Sequence, residues 1–329
     1  MTRYSLSDEG VHPPGPDPMW QESVVILWLD QDAGVGGFQR IGQLPNLGTT
    51  NHWHGLMTTD GLHYIRDVHD LPLVPGDRGA DGLGSGGQRL TVGPDGGRVD
   101  FADDDTELHL EFLDFYPMCE VWERGTGGAV EENTAANHYE SSGRVTGTAR
   151  FGGRTIDVDG LFHRDHSWGV REWDLILGHR WIVGTAGPGL SFSAAVMLGD
   201  KDIVAGGFVV RDGERIQATE VDVVVRLEPD NITTRGAEVA WYLENGETLS
   251  IRSENLGGFI FSHGIWRLSD QLTRFHVVGD EDVTGMCLVE TSTNHRLNNM
   301  PVSLAIGAAI DHGLSQARGR LGLFEQLNR

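Results

Sequence analysis

Apolar and polar residues alternate with a period of two along most of this chain, a period that predicts strands. Glu107–Phe115 (ELHLEFLDF) and Arg144–Phe151 (RVTGTARF) alternate cleanly. Ser23–Asp30 (SVVILWLD) is a nearly continuous apolar run, the pattern of a strand buried on both faces. Gly152-Gly153 separates RVTGTARF from RTIDVDGLF, which predicts a hairpin with a two-glycine turn. Further strands are predicted at Arg180–Thr185, Ser191–Leu198, Ile203–Arg211, Ile216–Leu227, Glu238–Tyr242, Thr248–Glu254, Phe259–Leu268, Leu272–Val278 and Thr284–Thr291. Asp212-Gly213 and Asn245-Gly246 mark tight turns among them. Strands punctuated in this way point to an all-β protein of barrels or sandwiches, not to βαβ units. The pattern continues past residue 172 without a linker. The length therefore suggests two β domains, 20–172 and 173–329, behind an irregular Pro-rich arm over 1–19. Residues 74–97 read as a flexible Gly-rich loop. About Pro301–Leu327, apolar first and then Arg/Leu at helical spacing, reads as a short C-terminal helix.

Composition narrows the partners. A net charge of −23 argues against nucleic acid or an anionic membrane as the main target. No run approaches eighteen apolar residues and the N-terminus lacks an apolar signal core, so no membrane insertion and a cytoplasmic location are expected. Cys119 and Cys287 are the only cysteines, and a reduced pair fits that location. Gly82, Gly84 and Gly87 satisfy GxGxxG in spacing alone. They lack the preceding strand and following helix that a dinucleotide site needs.

The chemistry concentrates in Val158–Trp173 (VDGLFHRDHSWGVREW). On a strand, Phe162, Arg164, His166 and Trp168 share one face, and His163, Asp165 and Ser167 share the other. An imidazole beside an indole, with a carboxylate at the adjacent position, is a candidate acid/base group on an apolar platform. It is equally a candidate buried polar brace. His138-Tyr139-Glu140 precedes the strand that leads into this segment, so both clusters can face one cavity. Glu140 or His138 can then pair with Arg171, His166 or Asp165, and a carboxyl against an apolar wall can become a proton donor. In Asn51-His52-Trp53-His54, His52 and His54 share a strand face, the spacing of a metal-ligand pair. Trp53 and several other tryptophans are candidates to line an apolar pocket, and Arg40 to anchor an anionic ligand group or to pair internally.

RDHSWGVREW, preceded by HYESSGRVTGTARFGGR and WLDQDAGVGGFQRIGQLPN, resembles the carotenoid 1,2-hydratase / AttH-like superfamily, more narrowly its bacterial branch labelled hydroxyneurosporene-synthase-like. The resemblance covers most of the chain, and its motifs lie between about Trp28 and Trp173. It implies two lipocalin-like antiparallel β-barrels. It also implies cofactor-independent chemistry: the hydratases add water to an isolated double bond, and fungal relatives hydrate prenylated phenolics or guide pericyclic cyclisations. The hydratases' His-x-Trp matches His166 and Trp168, and the preceding aspartate matches Asp165. Their downstream Tyr-x-Asp has no counterpart in Leu190–Met197 (LSFSAAVM), so a different carboxylate would have to act.

The expected function is a hydratase, lyase or isomerase for a hydrophobic terpenoid, steroid-like or aromatic small molecule. Asp165, His166, Glu140 and His138 would carry the chemistry. Trp168, Arg171, Trp53, Tyr139 and Arg40 would hold the substrate. No cofactor is expected, and a homodimer is compatible with this reading. The alternatives are a non-catalytic lipocalin-like binding protein and a metal-dependent enzyme built on His52 and His54.

Overall fold

Residues 4–121, 136–172, 176–199, 203–227, 234–263, 266–294, 314–315 and 320–321 are described by the computed structural model. They are all-β apart from two short 3₁₀ turns. Residues 4–120 and 136–172 form one compact unit, and 176–294 form another.

The first unit holds β1 (Trp20–Asp30), β2 (Val35–Leu44), β3 (Thr49–Thr58), β4 (His63–Pro72), β5 (Arg78–Gly79), β6 (Gly82–Ser85), β7 (Gln88–Gly93), β8 (Gly96–Ala102), β9 (Glu107–Asp114), β10 (Cys119–Glu120), β11 (Asn137–Phe151) and β12 (Arg154–Val170). They make one antiparallel sheet in the order β4-β3-β2-β1-β12-β11-β9-β8-β7-β6-β5, with β10 on the side of β11. The ladder does not close into a ring among the described residues, but the sheet curls until β2 and β3 meet β6 and β7. Side-chain amides bridge that seam. Gln43 Nε2 donates to the Gly84 carbonyl at 3.0 Å, and Gln88 Nε2 donates to the carbonyls of Arg40 and Trp53 at 2.9 and 3.3 Å. The curl encloses an apolar core that includes Val24, Ile26, Trp28, Leu83, Leu90, Phe112 and Phe162.

The second unit holds β13 (Ile176–Thr185), β14 (Leu190–Gly199), β15 (Ile203–Arg211), β16 (Glu214–Leu227), β17 (Thr234–Leu243), β18 (Thr248–His263), β19 (Trp266–Val277) and β20 (Asp280–Asn294). Each pairs with its neighbour in sequence, β13 pairs with β20, and the eight strands close into a barrel. Its interior is filled by side chains such as Ile182, Phe192, Val221, Trp241 and Phe275. An eight-stranded barrel is just wide enough for side chains to fill it.

Several expectations change. Residues 74–97 are a 3₁₀ turn at Pro75–Asp77 followed by β5, β6, β7 and the start of β8 joined by tight turns, not a flexible loop. Gly82 has φ +149°, and a Cβ there would meet the Leu90 carbonyl oxygen at 2.0 Å. Gly82, and likewise Gly96, where a Cβ would meet the Phe112 carbonyl oxygen at 2.4 Å, let neighbouring backbones approach. The predicted break between Glu254 and Phe259 is a bulge at Asn255/Gly257 inside one long strand, and the predicted strand Phe259–Leu268 is divided between β18 and β19. The expected C-terminal helix lies outside the described residues except at Leu314–Ser315 and Arg320–Leu321, which are extended and paired. No helix among the described residues is long and apolar enough to cross a membrane.

One glycine supports a prediction. Gly147, on β11, has φ +148°, and an added Cβ would lie 2.0 Å from the His109 carbonyl oxygen of β9. Gly147→Val must shift that ladder, and a loss of at least about 2 kcal/mol is expected from urea unfolding. An unchanged midpoint would show that the ladder can move freely.

Candidate functional site

The hairpin of β11 and β12 places polar groups on both faces of the first sheet. Ser142 pairs with His163, Glu140 with Asp165, and Tyr139 with His166. Strand alternation then divides the expected site residues. Tyr139, His166 and Trp168 lie on the same face as Val24 and Phe162, which enter the core. His138, Glu140, Asp165 and His163 lie on the opposite face. Asp165 and His166, both expected to carry the chemistry, therefore lie on opposite faces, as adjacent residues of an extended strand do.

On the face opposite the core, the groups form a chain. Tyr116 donates from its hydroxyl to Ser142 Oγ at 3.2 Å, and Ser142 Oγ lies 2.9 Å from His163 Nδ1. His163 Nε2 is 3.2 Å from Glu140 Oε2, and Glu140 Oε1 is 3.4 Å from His138 Nε2. His138 Nε2 is also 3.3 Å from Asp165 Oδ2. Ser142, His163 and Glu140 are fully buried. The chain opens towards solvent only at His138 and Asp165, whose side chains keep 17% and 9% of their exposure. Burial pushes the His138 imidazole towards the neutral form, and the Arg171 charge pushes the same way. The hydrogen bond and charge of Asp165, with the charge of Glu140, outweigh both, so its pKa is raised. Arg171 donates to the hydroxyls of Ser167 and Ser23. Arg40 and Trp53 share this face two strands away, beyond Val25, with the guanidinium 4.4 Å above the indole and 2.6 Å from Asn51 Oδ1.

Part of this chain recurs in the second unit. Glu290-Thr291-Ser292 on β20 faces β13 as Glu140-Ser141-Ser142 on β11 faces β12. Ser292 is opposite His179 and hydrogen-bonds to its Nδ1, and His179 Nε2 contacts Glu290. The repeated Glu-x-Ser and histidine is a brace common to both units. The residues that differ are Leu288 and Trp181, where the first unit has His138 and Asp165.

The core-side face carries a second cluster, centred on Glu22. His166 Nε2 lies 3.2 Å from Glu22 Oε1. The N-terminal arm brings His12, whose backbone N–H donates to both carboxylate oxygens at 3.0 and 3.2 Å and whose Nδ1 is 2.7 Å from Oε1. Arg78 donates to Glu22 Oε2 at 3.0 Å. Burial alone would raise the Glu22 pKa. The hydrogen bonds and charges of His12 and His166 instead hold it down at about 2. The His12 ring stacks on Trp168 at 3.7 Å, and Tyr139 stacks on Trp168 at 5.5 Å. Glu22 lies just before the predicted strand Ser23–Asp30 and is missing from the expected site; its place two residues before Val24, on a strand that begins at Trp20, is the signal that marks it. His12 carried no signal, since an arm without periodicity does not say where it folds back.

His52 and His54 share a face, as their spacing predicts, but each enters a separate contact. His52 Nδ1 is 3.3 Å from Ser85 Oγ. His54 Nδ1 is 2.8 Å from Gln88 Oε1, and its ring stacks on Phe101 at 3.9 Å. Burial, foremost, lowers their pKa values to about 4 and about 3. Among the described residues, the metal-type ligands that converge are His12, Glu22 and His166, not this pair.

Residues 5–295 match the model of a family described as a domain of unknown function, DUF7064. The chain belongs to that family. No curated protein matches the sequence significantly. Solved structures share the fold. An AttH-like protein from Nitrosomonas europaea has a TM-score of 0.65 at 16% identity, over 88% of this chain and 95% of its own. CghA, solved with Sch210972, has a TM-score of 0.61 at 13% identity, over 84% and 89%. Kievitone hydratase from Nectria haematococca has a TM-score of 0.59 at 9% identity, over 88% and 92%. These likenesses place the DUF7064 fold with the AttH-like, lipocalin-like structures. At such identities they carry architecture and not activity.

Proposed function

We propose that this chain is a hydratase-type enzyme, or a related lyase or isomerase, that moves protons on a hydrophobic small molecule by acid–base chemistry at His138, Asp165 and Glu140. The observation that carries this reading is an imidazole of raised proton affinity held between two carboxylates, at the open end of an otherwise buried polar chain. A brace alone needs only the Glu-x-Ser and histidine that the second unit also has. His138 and Asp165 are what this unit adds. The fold shared with kievitone hydratase agrees with this reading.

In hydration, the His138 imidazolium gives its proton to one carbon of a double bond. Water adds to the neighbouring carbon and loses a proton to the Asp165 carboxylate, from which His138 is recharged. Glu140 holds the imidazole, with His163 and Ser142 behind it, and the reverse steps eliminate water. An imidazolium is a weak acid for an isolated alkene. This favours a double bond polarised by conjugation, as in an aromatic enone, over the isolated double bond of a carotenoid. Arg171, Arg40 and Trp53, on the same face, are the candidates to hold such a substrate. His166, Trp168 and Tyr139 belong to the other face, where they shape the sheet and not the reacting atoms.

The test is turnover in ¹⁸O-water with a panel of conjugated aromatic enones and their hydrated forms. Wild-type protein should exchange or incorporate label. Asp165→Asn and His138→Gln should each lose at least about a hundredfold in rate with the melting temperature held within a few degrees. Label incorporation that survives both substitutions, or that falls only together with the melting temperature, would overturn the assignment.

A further inference from the structure

The cluster on the core-side face has the composition of a metal site. His12, Glu22 and His166 each offer one ligand atom, and these atoms lie within 4.8 Å of one another. Two imidazole nitrogens and one carboxylate oxygen are a donor set that suits borderline divalent ions, zinc above all, with a fourth position left open. Two ligands are rigidly placed: Glu22 and His166 are diagonal neighbours across the β1–β12 ladder, where Val24 faces His166. The third is held in place by stacking on Trp168. Outer partners are present as well. Arg78 binds the second oxygen of Glu22 at 3.0 Å, the carbonyl of His12 at 3.0 Å and Gln43 Oε1 at 2.8 Å. Such contacts orient metal-ligating carboxylates.

We infer that His12, Glu22 and His166 form a binding site for a zinc-class divalent cation, which clasps the N-terminal arm to the first sheet. Arg78 pairs with Glu22, and a further carboxylate, Asp8, lies 3.8 Å from His12 Nε2. The open position would take water or a small oxygen ligand. The site lies on the opposite face of the sheet from His138 and Asp165 and does not depend on the reaction proposed for them.

The test uses the untagged full chain, stripped with a chelator and titrated with Co²⁺ while its visible d–d absorption is followed. One equivalent should bind with the intense bands of a four-coordinate site. His12→Ala and Glu22→Gln should each weaken binding at least about tenfold. Zn²⁺ should displace the cobalt and slow proteolysis within residues 4–19. His12→Ala removes a partly exposed arm residue, so it decides the matter even if Glu22→Gln fails to fold. Absence of saturable binding would overturn the site, as would a spectrum and affinity unchanged in folded His12→Ala.

Discussion

Arg164→Met is expected to destabilise the first unit by about 3–5 kcal/mol. The guanidinium is buried and donates to two carboxylates, to Glu9 at 2.9 and 2.6 Å and to Asp114 at 2.9 and 2.5 Å. It also lies 5.5 Å above the Phe112 ring. Burial alone would raise the Glu9 pKa; the charge and hydrogen bonds of Arg164, together with the Tyr4 hydroxyl and the His166 charge, lower it instead. Remove the cation and Glu9 is left as a buried carboxyl without its counter-charge, which must either protonate or pull the arm into water. Methionine keeps most of the apolar stem, so lost packing contributes little. The loss should appear as a lowered first unfolding transition in urea. Faster amide exchange in residues 4–12 should accompany it, because Glu9 anchors that arm. Arg164→Met combined with Glu9→Gln should recover part of the loss. A single variant within about 0.5 kcal/mol of wild type would show that the pair contributes nothing net, as exposed ion pairs often do.

Arg164 also illustrates what the sequence can and cannot show. Strand period two put Arg164, His166 and Trp168 on one face and Asp165 on the other, and the structure keeps that division. Glycine pairs located the β11–β12 turn, where Gly152 and Gly153 have φ of +57° and +75°. Periodicity says which residues share a face, but not which face meets which segment from elsewhere in the chain. Glu9 reaches Arg164, and His12 reaches the Glu22–His166 pair, only because an arm without periodicity folds back over the sheet. Residues 74–97 failed for a different reason. Glycine in a strand and glycine in a loop look alike until the neighbouring backbone is known to pass within contact of the missing Cβ.

Acidification should destabilise the fold well before the carboxylates protonate, and His54 is where the effect is sharpest. Gln88 Nε2 is committed to the carbonyls of Arg40 and Trp53, so its oxygen faces His54 and the proton of the neutral ring sits on Nδ1. Protonating Nε2 would create a charge with no hydrogen-bond partner in a buried site against Phe101. With its folded pKa lowered to about 3 and that of His52 to about 4, the unfolded chain takes up these protons below pH 6.5 while the folded chain does not. Stability is therefore lost as pH falls from about 6.5 towards 4, by up to about 1.4 kcal/mol per pH unit for each group. The lowered carboxyls of Glu9 and Glu22 contribute stability that is present above their unfolded value of 4.5 and lost as pH falls through their folded ones, so they extend the same slope downward. His138 acts in the opposite sense. Its raised pKa supplies stability that is present below 6.5 and lost as pH rises through the folded value. Urea unfolding across pH 7.5 to 4.5 should thus show a steep decline on the acid side. His54→Asn, which keeps an N–H for Gln88 but cannot titrate, should lie lower at neutral pH and decline less steeply. A slope unchanged in His54→Asn would mean that the proton uptake belongs elsewhere. A flat profile in the wild type would mean that these imidazoles are not held neutral at all.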